Sequence, residues 1–202
     1  MSAISLRPYH ASDVPALYRI CHATGLNGRD ASGAVADSDI LGHSYVGPYL
    51  ALEPEHCFVA LLGSDVAGYV VAAPDTTAFH HKCEERWFPI LRARYALPAV
   101  DDGSPTAGFI RTLHRGHPPS VRVDLAQYPA SLHVDLLPQA QGQGAGRLLM
   151  MHLFAELRKT DVPGVHLYVG RSNEAAIGFY EHIGFECIDD AHTSLGYGLR
   201  LS

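Results

Sequence analysis

The sequence predicts an α/β fold, and three observations carry that expectation. Two apolar runs, residues 57–62 and 66–73, flank Gly63-Ser64-Asp65, the composition of a tight turn, and so predict a pair of antiparallel strands. The last third of the chain reads as strand, helix, strand, helix. Of the 202 residues, 47% are apolar and 18% charged, which suits a single domain, 1–202, with a sizeable core.

Taken in order, residues 3–6 alternate as a short strand. Ser12 or Asp13 then caps a helix on which Val14, Leu17, Ile20 and Cys21 recur at helical spacing. Residues 25–33, rich in Gly, Asn and Asp, read as a loop. Residues 40–52 read as a second helix interrupted at Gly47-Pro48, and the strand pair follows. Residues 74–128 form an inserted irregular or helical segment: one helix carries Trp87, Phe88 and Leu91, and a Pro/Gly/Asp-rich stretch, 97–119, has the length expected of a lid or binding loop. Beyond it the pattern predicts a strand at 131–137, a turn at 138–144, an apolar helix at 145–158, a strand at 165–169, a helix at 173–183, and strand-like pieces near Phe185 and at 195–201.

The formal charge of −6 lacks the concentrated basic surface that nucleic acid requires, and it suits a cationic partner instead. No apolar run approaches the roughly 18 residues of a membrane span. The amino terminus has no basic segment followed by a long apolar one. The expectation is a cytoplasmic protein without membrane or nucleic-acid partners. Cys21, Cys57, Cys83 and Cys187 form no CxxC pair and read as reduced thiols.

The chemistry concentrates in Gln141-Gly142-Gln143-Gly144-Ala145-Gly146-Arg147, between a predicted strand and a predicted helix. The first N–H groups of a helix have no intrahelical acceptor, and glycines let a backbone approach a diphosphate, so the turn is suited to an anion. Glycines that merely close a tight turn give the same pattern. A P-loop is excluded because Arg147-Leu148-Leu149 supplies neither its Lys nor its hydroxyl. A dinucleotide fold is excluded because the spacing is GxGxG and Asp161 precedes the second strand instead of ending it.

The run LLPQAQGQGAGRLL resembles the Q/R-x-x-G-x-G/A signature of the GNAT superfamily of N-acetyltransferases. Asn173, Ala176, Phe179-Tyr180 and Gly184-Phe185 resemble its second signature. Tyr45-Val-Gly-Pro-Tyr49 and Trp87-Phe88-Pro89 are more distantly similar to the acetyltransferase-like domain at the carboxyl end of O-GlcNAcases. The resemblance implies a mixed, mostly antiparallel central sheet flanked by helices, with parallel fourth and fifth strands that splay apart to admit acetyl-CoA as cosubstrate. It implies that backbone groups of Gln141, Gly142, Gln143, Gly144, Ala145, Gly146 and Arg147 hold the diphosphate. Leu136 and Leu137 then lie along the acetyl-pantetheine arm, with the Leu136 N–H facing the thioester carbonyl.

Asn173 is implied as a pantetheine ligand, although a helix cap explains it equally well. Tyr180 is implied as the acid for the departing thiolate, against the alternative of a packed aromatic. For the base, period-two alternation puts His133 and Asp135 on one side of their strand, and Asp135 ranks first because an acid there also attracts a cationic amine. Trp87 and Phe88 either wall the amine pocket or sit in the core. No metal is expected: His80-His81 with Cys83, and His114 with His117, lack a distal pair of ligands and read as solvated loop residues. The implied activity is transfer of acetyl to an amine, on a small molecule or a protein lysine, by a monomer or homodimer. The alternative is a binding module that keeps the fold without catalysis.

Overall fold

The structure, a computed structural model, describes residues 4–35, 37–100, 102–116 and 123–201. The chain opens with β1 (Ile4–Pro8), α1 (Val14–Thr24), α2 (Ile40–Tyr45) and α3 (Gly47–Leu52), followed by the hairpin β2 (Cys57–Leu62) and β3 (Asp65–Ala73). Three helices come next, α4 (Thr76–Arg86), α5 (Phe88–Arg94) and α6 (Pro105–Arg115). The remaining elements are β4 (Ala130–Leu136), α7 (Ala145–Arg158), β5 (Gly164–Gly170), α8 (Glu174–His182), β6 (Glu186–Asp190) and β7 (Ser194–Arg200). The strands form a seven-stranded sheet in the order β1-β2-β3-β4-β5-β7-β6, with β4 and β5 parallel and the other neighbours antiparallel. That is the mixed, helix-flanked sheet the resemblance implies. No helix among the described residues is long and apolar enough to cross a membrane.

Helices cover both faces, so the central strands are apolar on both sides. On β3, Val70 and Ala72 face a core with Leu149, Met150, Leu153, Phe154 and Leu157 of α7. Tyr69, Val71 and Ala73 face a second core with Leu17, Ile20 and Cys21 of α1, Ile40 and Leu41 of α2, and Phe79, Phe88 and Leu113 from α4 to α6. Each of the Val, Leu, Ile, Met and Phe side chains among them contributes about 1.5–3 kcal/mol by leaving water.

The described residues of segment 74–128 are more regular than its composition suggests. Asp75 Oδ1 accepts from the Ala78 N–H at 2.9 Å and starts α4; Ser104 Oγ accepts from the Ala107 N–H at 3.2 Å and starts α6, with Pro105 in its first turn. The stretch expected as a lid therefore holds a capped helix whose Ala107 and Leu113 are buried. Pro and Gly dominated the sequence pattern, but at a helix's first turn and just past its end they are favoured residues. His80, His81 and Cys83 lie on α4 and His114 on α6, not in loops, and His114 Nε2 pairs with the Tyr95 carbonyl at 2.7 Å. Residue 3 and His117 lie outside the described residues. Phe88 is buried in the second core, and Trp87 packs against Gly47 while its Nε1 donates to the His43 carbonyl at 2.9 Å, so the pair is structural.

The break expected at Gly47-Pro48 falls between α2 and α3. A Cβ on Gly47 would stand 2.4 Å from the Tyr18 hydroxyl and 2.5 Å from the Trp87 ring. Gly68 is as constrained: opposite Leu136 in the β3–β4 register, it leaves a Cβ 2.2 Å from Leu136 Cδ2 and 2.9 Å from the Asp135 carbonyl oxygen. Gly68→Val is expected to destabilise the fold by about 1–3 kcal/mol, read as a lower denaturation midpoint in urea.

Candidate active site

The site begins where two strands part. β4 and β5 are paired only at Ala130–Val165 and Ser131–His166, yet β4 runs on to Leu136, fully paired with β3, and β5 to Gly170, fully paired with β7. Leu137 N–H donates to the Ala67 carbonyl at 2.9 Å. By the alternation of an antiparallel ladder, the N–H groups of Leu136 and Val134 therefore point away from β3, into the gap. A cavity of about 1010 Å³ passes through that gap and has lining residues on both faces of the sheet.

On one side stand the α7 entry and α8. Gly142 (φ 68°) and Gly144 (φ 84°) are left-handed, and nothing lies within 4 Å of a Cβ added to either, so glycine is required there by backbone conformation and not by crowding. The Leu148 N–H is bonded to the Gly144 carbonyl at 3.0 Å; the N–H groups of Ala145, Gly146 and Arg147 precede it in the first turn and are left for a ligand. Gly146 does have a packing reason, since its Cβ would meet Leu136 Cδ1 at 3.1 Å and the Phe179 ring at 3.2 Å. Asn173 caps α8, its Oδ1 accepting from the Ala176 N–H at 3.2 Å, while the residue also lines the cavity. Tyr180 is buried among Phe179, Phe185 and Tyr197 and reaches the cavity. Burial, and then the charge of Asp135, push its phenol above its ordinary value, so it stays protonated.

On the other side stand Cys21, Thr24, Arg29, Tyr45, His133 and Asp135. His133 Nε2–H donates to Asp135 Oδ2 at 3.1 Å, and Tyr45 stacks on the imidazole with centroids 5.6 Å apart and 19° between planes. Above them, Asn27 (φ 53°) and Gly28 (φ 81°) make a tight turn closed by Leu26–Arg29 backbone bonds. Asn27 Nδ2 donates to Ser172 Oγ at 3.0 Å and ties that turn to the β5–α8 connection. Donor atoms of Cys21, His133 and Asp135 lie within 4.8 Å of one another. The carboxylate there is already hydrogen-bonded, and burial, followed by the Asp135 charge, pushes the Cys21 thiol up.

Of the residues singled out in the sequence, Asp135, Leu136, Gln141, Gly142, Gly144, Ala145, Gly146, Arg147, Asn173 and Tyr180 all line this cavity. Leu137 and Gln143 are not among its lining residues. The Leu137 N–H is taken by Ala67 and its side chain packs into the second core, while the Gln143 amide turns back to the Gln139 carbonyl. Tyr45 and Cys21, absent from the sequence-derived site, come to it through the packing of α1 and α2 on β4. No local signal at residue 21 announces that approach, and Tyr45 stood out only as part of the Tyr45-Val-Gly-Pro-Tyr49 run.

A glycine turn opening a helix beside a split parallel strand pair defines a class, the coenzyme A-dependent acyltransferases. A family model described as the acetyltransferase (GNAT) family matches residues 78–185, and the chain belongs to that family. It is 34% identical to the protein in the crystal structure of SsHAT, which superposes with a TM-score of 0.91 over 99% of each chain. It is 25% identical over 183 residues to the protein O-GlcNAcase of Rattus norvegicus, covering 89% of this chain and 20% of that protein. Over 48 residues it is 50% identical to the [ribosomal protein bS18]-alanine N-acetyltransferase of Escherichia coli strain K12, covering 24% of this chain and 32% of that protein. The chain thus spans about a fifth of the length of the O-GlcNAcases it matches. Both resemblances read from the motifs are borne out. Family membership supports N-acetyltransferase activity, with acetyl-CoA fitting as cosubstrate.

A Gly144→Glu variant places a carboxylate and a strained left-handed residue where the diphosphate is expected. By isothermal titration calorimetry it should lose acetyl-CoA binding while circular dichroism stays native.

Proposed function

We propose that the chain transfers the acetyl group of acetyl-CoA to a primary amine by direct attack in a ternary complex, acting as a single domain. The observation that carries this reading is the cavity that crosses the sheet, with a backbone anion site on one face and an acidic, aromatic chamber on the other. The left-handed glycines and the free first-turn N–H groups of α7 fit a diphosphate, and the β4–β5 gap fits a slender pantetheine arm. When bound, acetyl-CoA supplies an acetyl group activated as a thioester.

The residues divide the remaining work. Gly142 and Gly144 to Arg147 hold the diphosphate, whereas the Gln141 N–H, expected to join them, donates to the Pro138 carbonyl at 3.2 Å and its side-chain amide to the Leu136 carbonyl at 2.9 Å. Asn173, its Oδ1 engaged in the cap, offers its amide N–H₂ to the pantetheine arm. The Leu136 N–H, aimed into the gap, stabilises negative charge developing on the carbonyl oxygen. An ammonium must lose a proton before its nitrogen can attack. Because Asp135 only accepts hydrogen bonds, the proton of the His133–Asp135 bond sits on Nε2, which leaves Nδ1 as the lone-pair nitrogen. This supports His133 as the base and Asp135 as the residue that orients it, reversing the order suggested by charge alone. The ammonium gives its first proton to solvent; as the neutral amine forms the C–N bond and the C–S bond breaks, its second proton passes to His133 and sulfur leaves with the electron pair.

Tyr180 donates a hydrogen bond to that thiolate. Full proton transfer is uphill, because the thiol's conjugate pair lies near about 8.5 and the buried phenol lies far above it. The thiolate therefore takes its proton from water after release. No observation favours the non-catalytic module, since both faces of the site are built. Free thiols at Cys21, Cys57, Cys83 and Cys187 are consistent with the cytoplasmic setting the sequence suggests.

Release of free coenzyme A in the presence of an amine panel tests the reading; tight acetyl-CoA binding with no turnover on any amine would overturn it. Tyr180→Phe should lower kcat on the order of 10²-fold, as for loss of one charge-stabilising donor, with acetyl-CoA affinity unchanged by calorimetry. His133→Ala should lose about 10²–10⁴-fold in kcat and regain part of it when imidazole is added. Asp135→Asn should be slow without being rescued.

A further inference from the structure

Behind the His133–Asp135 pair lies a side chain that is not among the cavity's lining residues. Tyr69 is 0% exposed and stands on β3 directly opposite Asp135. Its hydroxyl donates to Asp135 Oδ2, the same oxygen that accepts from His133 Nε2. One carboxylate oxygen offers about two lone-pair sites, so these two donors use up Oδ2. The carboxyl plane is then fixed from both strands at once, by a phenol held in the sheet and an imidazole stacked on Tyr45.

Resting on the reading of His133 as the base, we propose that Tyr69 is a positioning residue that locks the Asp135 carboxylate onto His133, and so makes His133 and not Asp135 the group that takes the amine proton. Without the phenol, Oδ2 has a free lone pair, the carboxyl group can rotate, and the imidazole loses the fixed acceptor that sets its tautomer. Tyr69 is well suited to this role. Burial and the adjacent Asp135 charge push its phenol far above its ordinary value, so it remains a donor throughout. The Cys21 thiol beside it is likewise kept protonated by burial. The ring itself belongs to the second core, so phenylalanine at this position keeps the packing and removes only the hydroxyl.

The test is a double-mutant cycle of Tyr69→Phe and Asp135→Asn, with kcat, both KM values and Tm measured for each protein. Tyr69→Phe is expected to lower kcat about tenfold or more, as for loss of a hydrogen bond to a charged group, with the KM for acetyl-CoA unchanged. The double variant should be no slower than Asp135→Asn alone, because the carboxylate that Tyr69 holds is already gone. A second readout is the tautomer of His133 from its ring ¹⁵N shifts, expected to be Nε2–H in the wild type and mixed in Tyr69→Phe. Wild-type kcat in Tyr69→Phe, an unchanged tautomer, or effects that simply multiply would overturn the proposal. If Asp135→Asn is slow while Tyr69→Phe is not, only the role of Tyr69 falls. If Asp135→Asn itself keeps the wild-type rate, the reading of His133 and Asp135 falls, and this inference with it.

Discussion

The site depends on one constraint: β4 and β5 must separate after a single pair of neighbouring contacts while each keeps its outer partner. β3 holds β4 as far as Leu136, and β7 holds β5 as far as Gly170, so the split costs no regular structure on either side. It leaves inward-facing N–H groups at Val134 and Leu136, where a buried unpaired donor would otherwise be costly. A cavity open to water and ligand resolves that cost. Period-two alternation does the rest, because one strand sends Leu136 toward α7 and α8 and sends His133 and Asp135 toward α1 and α2. Cofactor groups and acceptor groups are thus separated by the thickness of a single strand.

The charges are separated in the same way. The anion site is built from backbone dipoles at the α7 entry, so the chain needs no basic patch and retains its formal charge of −6. On the acceptor side the Asp135 carboxylate sits where Tyr69 and His133 both donate to it, with directed hydrogen bonds in a partly buried setting. Tyr180 lies on the cofactor side yet within electrostatic reach of Asp135, whose charge further disfavours a phenolate there. Tyr180 and Tyr69 are therefore both held as neutral phenols before any substrate arrives.

Much of this was legible in the sequence, and the parts that were not share a physical reason. The span of α7, the hairpin and the glycine turn are local properties, set by spacing and by residues that tolerate a left-handed backbone. The same is true of His133 and Asp135 sharing a side, which follows from strand period alone. α6 was obscured because its Pro105 and Gly116 look like loop residues until Ser104 is seen to cap the helix. Tyr69 and Tyr45 depend on register and on helix packing, and neither is encoded within a window of neighbouring residues. Leu137 illustrates the limit at the scale of one residue. It was expected along the pantetheine arm beside Leu136, but strand alternation turns its N–H to Ala67 of β3 while that of Leu136 faces the gap.

The two halves of the cavity also differ in their relation to the family. The match over residues 78–185 contains β4, the glycine turn, α7, β5 and α8, which together form the whole cofactor side. Cys21, Thr24, Arg29, Tyr45 and Tyr69 all precede it. Of the acceptor-side groups, only His133 and Asp135 fall inside the match, and they do so because they share β4 with Leu136. The matched region therefore contains the proposed coenzyme side, whereas α1, the Leu26–Arg29 turn tied to Ser172, and α2, which line the proposed acceptor side, precede it. The likeness to SsHAT covers 99% of the chain, so it includes the chamber as well, and comparing the two proteins' amine preferences would bear directly on what these walls select.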